Sequence, residues 1–320
     1  MRLLESVWWR RDEPAWAELL LWPLTIGSIA YRAGAALARP RPVKAAVPVI
    51  SVGNIVVGGA GKTPVAMAIA RRLIALGRTP AILSRGYGRR GREPIVVEPA
   101  SSVADVGDEP LMMARRGLRV LVGPRRALLA QEAVKRGADV LVLDDGLQHR
   151  GLHRDLDVLV VDASNPLGNA RRLPRGPMRE GLQALERVGL VWLTRVDLAR
   201  PDDPQIRAFG EPAVESAYAA AADLRGERVF LFAGIARPQP FEALVRSLGA
   251  SVAGVRWFRD HHRFTERELD DLRRAGARLV TTEKDAARLP PGFPATALPV
   301  ELRIVRGEEA LGTALARALR

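Results

Sequence analysis

Gly58-Gly59-Ala60-Gly61-Lys62-Thr63, closed by Pro64, is the stretch of this sequence best equipped to bind an anion. Glycines let successive backbone N–H groups converge on one point, and a helix starting there adds its N-terminal dipole. In that setting a lysine reaches the β- and γ-phosphates of a nucleoside triphosphate, and the hydroxyl after it sits on Mg²⁺. Lys62 and Thr63 hold those positions, and Pro64 falls in the first helical turn, where its missing N–H is not needed. The longer glycine spacing would need a glycine where Val56 stands, so only the compact GGxGKT form is met. Lysine usage sharpens the reading. Of 49 basic residues only Lys44, Lys62, Lys135 and Lys284 are lysines. A chain that otherwise uses arginine has kept a compact ammonium where a point contact to phosphate needs one.

A second chemical signal lies at Asp139–Gly146 (DVLVLDDG), an apolar run ending in adjacent carboxylates. Asp144 and Asp145 would repel each other without a cation, and an aspartate at such a strand end binds Mg²⁺ directly or through water. A solvated turn is the alternative. Gln148, His149 and His153 continue that loop. Gly107-Asp108-Glu109-Pro110 opens another helix, where Asp108 serves as well for an N-cap as for chemistry. His261 and His262 lie in Phe258–Phe264, so the chain's four histidines occupy two loops, each beside an aspartate. Carboxylate next to imidazole is the pairing that accepts a hydroxyl proton. Spacing alone does not bring Asp108 to His261. The basic turn Leu173–Glu180 either lines a site or is a solvated surface. Thr194-Arg195-Val196-Asp197 and Thr281–Asp285 are weak candidates for contacting a nucleotide base.

These residues need strands and helices to hold them. Val47–Val52 reads as a buried strand and Val65–Ala75 as the helix after the glycine turn. Further strands are expected at 79–84, 95–98, 118–122, 140–143, 156–162 and 190–194, with a helix at 125–136. That alternation describes an α/β fold, a P-loop NTPase-like, mostly parallel sheet flanked by helices, with ligands at strand carboxyl ends. Prolines near 201–212 mark a shift, and a smaller α/β pattern follows. It has strands at 229–233, 252–258, 279–282 and 299–305 and a last helix at 308–319. The expected domains are 1–45, 46–215 and 216–320.

At 320 residues, with 48% hydrophobic and 27% charged positions, the chain is globular in composition. Without cysteine it has no disulfide, thiolate metal site or thiol catalysis. A formal charge of +13 suits anionic lipid or phosphate-rich ligands, although general arginine usage explains it equally well. Aromatic content of 5% and the lack of a recognition motif argue against nucleic acid. Leu19–Tyr31 carries no charge, with Trp8, Trp9 and Trp16 before it and Arg32, Arg39, Arg41 and Lys44 after it. A spanning helix needs about 20 apolar residues, and Glu18 and Arg32 bracket this run too closely. Acidic residues and tryptophans ahead of it do not suit a cleaved signal. An N-terminal apolar helix lying in the membrane interface is expected, with a buried core helix as the alternative.

Seven segments taken together resemble the tetraacyldisaccharide 4'-kinase family of lipid A biosynthesis. They are SVGNIVVGGAGKTP (51–64), SRGYGR (84–89), GDEP (107–110), DDGLQH (144–149), LPRGPMRE (173–180), FRDHH (258–262) and TEKD (282–285), in family order. The resemblance covers nearly the whole chain. It implies a bacterial kinase on the cytoplasmic face of the inner membrane, in peripheral contact with anionic lipids and acting as a monomer. The γ-phosphoryl group of ATP would pass to the 4'-hydroxyl of an acylated disaccharide 1-phosphate, giving lipid IVA. By position it implies Asp108 as catalytic base and His261 as its partner, with Lys62 and Thr63 on ATP and Mg²⁺. It sets Glu109, Asp144 and Asp145 around the metal, and Asn54, Arg85, His149 and Arg179 on the acceptor or phosphate side. Asp108 and His261 fall on either side of the expected domain boundary, so closure on substrate is expected. Two alternatives stand beside this reading: a P-loop NTPase acting as a switch or metallochaperone on a protein partner, and a basic nucleic-acid-binding ATPase.

Overall fold

Five consecutive apolar or small residues, Val49–Gly53, form a strand buried along its whole length, β1. In the computed structural model, residues 7–11, 21–29, 42–211, 213–220, 222–235 and 237–320 are described. Trp16, Arg32, Arg39, Arg41 and both ends of the apolar stretch Leu19–Tyr31 lie outside them, as does much of the 1–45 segment.

The strands after β1 are β2 (Pro80–Ser84), β3 (Ile95–Val97), β4 (Val120–Val122), β5 (Val140–Asp144), β6 (Leu156–Asp162), β7 (Leu190–Thr194) and β8 (Val214–Ala219). They continue as β9 (Arg228–Ala233), β10 (Ser251–Trp257), β11 (Arg278–Thr282), β12 (Ala295–Leu298) and β13 (Glu301–Arg306). The expected strand at 299–305 is thus β13 alone. Pro299 and Val300, which belong to neither strand, separate it from β12, whose small residues Ala295-Thr296-Ala297 carry little apolar signal.

The chain divides into two compact units. One comprises Met1–Pro80, Arg126–Ala217 and Ile304–Arg320; the other comprises Ala81–Arg125 and Tyr218–Arg303. The sequence reading cut the chain between 215 and 216. Residues 81–125 instead group with the later α/β pattern, and the last helix, Glu308–Ala318, groups with the first unit.

In the first unit β8, β7, β6, β1 and β5 lie side by side and run parallel. Helix Lys62–Ala75 packs on β1 and β5 through its buried face, which includes Val65, Met67, Ile69 and Leu73. Removing such side chains from water stabilises by roughly 1.5–3 kcal/mol each. In the second unit β2 runs parallel and β3 antiparallel to β4. A separate sheet there, ordered β10-β9-β11-β12, is parallel throughout. Two apolar clusters, one around Val229, Leu231 and Val280 and one around Phe232, Leu272 and Leu279, hold that sheet.

Register decides what meets what. Val52 on β1 lies opposite Asp144 on β5, so the turn after β1 and the paired aspartates emerge at the same sheet edge. Gly53 allows this crowding: a Cβ there would lie 2.4 Å from Cβ of Leu147 and 2.7 Å from its amide N. Gly53→Ala is therefore expected to destabilise by about 1–3 kcal/mol. A lowered urea midpoint would check this, because alanine in place of an uncrowded glycine usually acts the other way.

Candidate active site

The turn after β1 does what its glycines allow. Gly58 and Gly61 take the left-handed region at φ 96° and 87°, and Gly61 is the N-cap of helix Lys62–Ala75. That helix offers no side-chain cap at its first turn, so its free N–H groups are available to an anion. Lys62 Nζ lies 3.3 Å from Asn54 Oδ1, 3.3 Å from the Gly58 carbonyl and 3.6 Å from Asp145. Thr63 Oγ1 lies 3.2 Å and 3.3 Å from the two oxygens of Asp144. A hydroxyl and a carboxylate converging at a helix N-terminus are the two protein oxygens that Mg²⁺ takes when phosphate and water complete its shell.

The basic turn at 173–180 lines this site. Val56 bridges to Met178, Val57 N–H donates to the Pro177 carbonyl at 2.8 Å, and Arg179 N–H donates to Ile55 at 2.7 Å. That pairing brings the Arg179 guanidinium to 3.1 Å from Asp145 and 3.2 Å from Gln148 Oε1. Gln148 Nε2 donates in turn to the Asn54 carbonyl at 2.8 Å and to Glu180 at 3.1 Å. Burial pushes the Asp145 carboxyl up, but Lys62 and Arg179 outweigh it and hold the group below its ordinary value. Asn54 is fully buried, and among the described residues its side-chain N–H group has no hydrogen-bond partner. A donor left so beside an ammonium suits an incoming phosphate oxygen.

The second unit carries the other half of the chemistry. Helix Asp108–Arg115 begins at Asp108 itself, with Gly107 as N-cap at φ 91°. The N-cap reading of Asp108 is thereby corrected. Its Oδ1 accepts the Glu109 N–H at 2.9 Å, and its Oδ2 lies 2.9 Å from His261 Nδ1. Both residues belong to one unit, so the pair is not divided between domains as the sequence reading had it, and the closure drawn from that division loses its premise. Burial pushes the Asp108 carboxyl up; the hydrogen bond with His261 and the charges of Lys284 and Arg288 outweigh it, leaving it below the ordinary carboxylate range. His261 itself sits at φ 57°, a left-handed backbone that costs energy for a side-chain residue and is tolerated where surroundings demand it. Its amide N–H donates to the Gly234 carbonyl at 3.1 Å, and the exposed Tyr87 ring lies 4.9 Å from its imidazole.

The structure therefore gathers Asn54, Gly58 to Thr63, Asp144, Asp145 and Arg179 in the first unit, and Asp108, Glu109 and His261 in the second. Glu109 forms an ion pair with Lys284 at 3.1 Å. Arg85 is exposed at the end of β2 in the second unit, and His149 follows Gln148, its carbonyl accepting from Arg154. Of the two tetrapeptides put forward as base readers, three residues are engaged elsewhere, while Asp197 is exposed. Thr194 Oγ1 donates to the Ala60 carbonyl at 2.9 Å, and Arg195 donates to Gly59 at 2.9 Å and to Asp162 at 2.6 Å, so both grip the glycine turn from behind. Asp285 is fully buried and accepts from Gly234 N–H (2.8 Å), Thr282 Oγ1 (2.6 Å) and Arg288 (2.7 Å). The signal was in the spacing: Thr282-x-x-Asp285 ahead of a helix is a capping pattern, and Thr282 is the N-cap of Glu283–Ala286. Sequence reasoning missed Arg288, which donates to the His262 and Gly234 carbonyls at 2.7 Å and 3.1 Å and lies 3.4 Å from Asp108.

A nucleotide cradle and a carboxylate–imidazole pair in one chain narrow the choice to phosphoryl transfer, and similarity to known proteins decides it. The family description "Tetraacyldisaccharide-1-P 4'-kinase" matches residues 17–320. The chain belongs to this family. It is 47% identical to the tetraacyldisaccharide 4'-kinase of Anaeromyxobacter sp. (strain Fw109-5), over 100% of this chain and 97% of that protein. It is 43% identical to that of Methylobacterium sp. (strain 4-46), over 98% and 96%. Among solved structures it is similar to the "apo" form of LpxK from Aquifex aeolicus, described as in complex with ATP, with a TM-score of 0.70 and 28% identity over 95% of this chain and 98% of that one. Family membership makes the chain a kinase of lipid A biosynthesis with a hydroxyl group as acceptor, and it does not favour the switch or metallochaperone alternative.

Proposed function

We propose that this chain moves the γ-phosphoryl group of ATP to the 4'-hydroxyl of a tetraacylated disaccharide 1-phosphate, with Asp108 as the base. The observation that carries this reading is the 2.9 Å contact between buried Asp108 and His261. A nucleotide-driven switch needs the cradle alone; a sugar hydroxyl, a poor nucleophile at neutral pH, needs a positioned proton acceptor as well. The acceptor oxygen bonds to the γ-phosphorus as the bond from that phosphorus to the β–γ bridging oxygen breaks, and ADP leaves. The hydroxyl proton goes to the Asp108 carboxylate. Lys62, Asn54 and the amides of 58–63 hold the phosphates. Thr63 and Asp144 fit Mg²⁺, which would neutralise charge building on the transferred group. Arg179 orders Asp145 and Gln148 beside it. Incubating the purified chain with γ-labelled ATP and acyl-disaccharide 1-phosphate should move label into the lipid fraction. Label released only as inorganic phosphate would overturn the reading.

The acceptor's acyl chains suggest a membrane surface as the workplace, and we propose the cytoplasmic face of the inner membrane. Residues 23–29 are helical, and Trp22, Ile26 and Ile29 are 56%, 59% and 61% exposed. Their spacing puts them on one helical face. One flank of the helix is fastened to protein: Ser28 donates to the Arg172 carbonyl at 3.2 Å, and Arg175 donates to Thr25 Oγ1 at 2.9 Å. Among the described residues no helix is long and apolar enough to cross a membrane, which leaves an interfacial contact as the reading those three side chains support. Replacing Trp22, Ile26 and Ile29 together by serine should sharply reduce co-flotation with anionic vesicles; unchanged flotation would remove this contact.

A further inference from the structure

Thr194 and Arg195, at the carboxyl end of β7, take no part in the chemistry assigned to the site, yet both reach the glycine turn inside the first unit. Arg195 is buried, and its Nη1 lies 2.9 Å from the Gly59 carbonyl and 2.6 Å from Asp162 Oδ2. Thr194 is fully buried, and its Oγ1 donates to the Ala60 carbonyl at 2.9 Å. Asp162 ends β6 beside Thr194. Its other oxygen accepts from Ser164 N–H at 3.0 Å and from Ser164 Oγ at 2.6 Å, so the carboxylate that holds Arg195 is itself fixed. Arg195 stands at φ 56°, a left-handed backbone that a side-chain residue keeps only where its surroundings hold it there.

We propose that Arg195 is a positioning residue of the nucleotide cradle. With Thr194 it holds two carbonyls of the glycine turn away from the phosphates, so that the N–H groups of the same peptides face the ligand. The inference rests on the reading of residues 58–63 as the phosphate site. A trans peptide is planar, and its C=O and N–H point in opposite directions. Drawing the Gly59 and Ala60 carbonyls toward β7 therefore turns the N–H groups of Ala60 and Gly61 to the other side. The Ala60 N–H marks that side: it donates to the Gly58 carbonyl at 3.1 Å, the same oxygen that Lys62 Nζ meets at 3.3 Å. Ammonium and amide converge there, as they would on a phosphate oxygen. Glycine makes the fastening necessary. With glycine at 58, 59 and 61 the backbone has little steric preference, and a flipped Gly59–Ala60 peptide would aim a carbonyl oxygen at the phosphates. A buried ion pair such as Arg195–Asp162 is roughly neutral for stability against an apolar replacement, so what it contributes is the orientation of the turn.

The test separates binding from turnover. The full chain is titrated calorimetrically with Mg²⁺ and the non-hydrolysable analogue adenosine 5'-(β,γ-imido)triphosphate, and KM for ATP is measured at saturating lipid. Thr194→Val keeps the shape and removes one donor. It should weaken analogue binding and raise KM for ATP roughly 3- to 10-fold, the range for a neutral hydrogen bond. Arg195→Met should do the same roughly 10- to 100-fold, the range for a hydrogen bond from a charged group. KM for the lipid should stay close to wild type. Arg195→Lys, still a buried cation and donor, should recover most of the affinity. An arginine that merely holds the fold gives another result: a lower thermal midpoint and lower kcat as folded enzyme is lost, with KM for ATP and analogue binding unchanged. That result overturns the proposal, as does Arg195→Lys binding no better than Arg195→Met. If Arg195→Met does not fold because Asp162 is left unpaired, the double variant Asp162→Asn/Arg195→Met removes both charges and is read in the same way, beside Thr194→Val, which disturbs none. Failure of the underlying reading looks different: Lys62→Ala would then bind the analogue as wild type does. Weakened binding in Lys62→Ala with normal binding in the 194 and 195 variants strikes the proposal alone.

Discussion

Asp108→Asn is expected to lower kcat by roughly 10²- to 10⁴-fold, the worth of a positioned general base, with little change in KM for ATP. The amide keeps the size and the hydrogen bond from Glu109 N–H but cannot take a proton from the acceptor hydroxyl. Lys62 and Thr63 belong to the other unit, which is why nucleotide binding should survive. The pH dependence carries a second check. The folded-state carboxyl lies below its ordinary value, so Asp108 is ionised across the neutral range, and its contribution is lost only as pH falls through that depressed value. Wild-type kcat should show no acid limb near the ordinary carboxylate range of about 3.9–4.3 or above. An acid limb near neutrality would assign the essential base to another group.

Lys62→Ala should also cost heavily in kcat/KM, by about 10²- to 10³-fold, the scale for removing one preorganised donor from developing transition-state charge. Unlike Asp108→Asn, it should also raise KM for ATP. On the proposed reading the ammonium acts on ground-state phosphates as well as on the reacting group, and its loss leaves Asp145 with Arg179 at 3.1 Å. Steady-state kinetics with ATP varied at saturating lipid would measure both effects. An unchanged KM for ATP would show that the phosphates do not lie on the 58–63 turn.

The parallel sheet was legible because its strands are short runs of valine, leucine and isoleucine that alternate with helical spacing. Leu156–Asp162 and Leu190–Thr194 come out at their expected boundaries. The cradle was legible for a related reason: Gly58, Gly61, Lys62 and Thr63 act through local geometry, which sequence order prescribes. Asp108 meeting His261 was not legible from spacing, since 153 positions separate them and only tertiary packing closes that gap. Arg288 and Lys284 were hidden for another reason. Each works through several partners brought in by different loops, and nothing about a lone arginine or lysine announces that. Thr282–Asp285 misled because one tetrapeptide pattern can describe either a base-reading loop or a helix cap. The spacing admits the cap, and the burial of Asp285 selects it.

The turn at 171–180 touches the helix at 23–29 at one end, through Arg172 and Arg175, and Asp145 at the other, through Arg179. Deleting the N-terminus to make a more soluble enzyme would therefore do two things at once. It would remove the lipid contact proposed above and also unclamp the segment that holds Arg179 against Asp145. A weakened truncation would say nothing about anchoring on its own, whereas exchanging only the outward Trp22, Ile26 and Ile29 leaves the inner fastening in place.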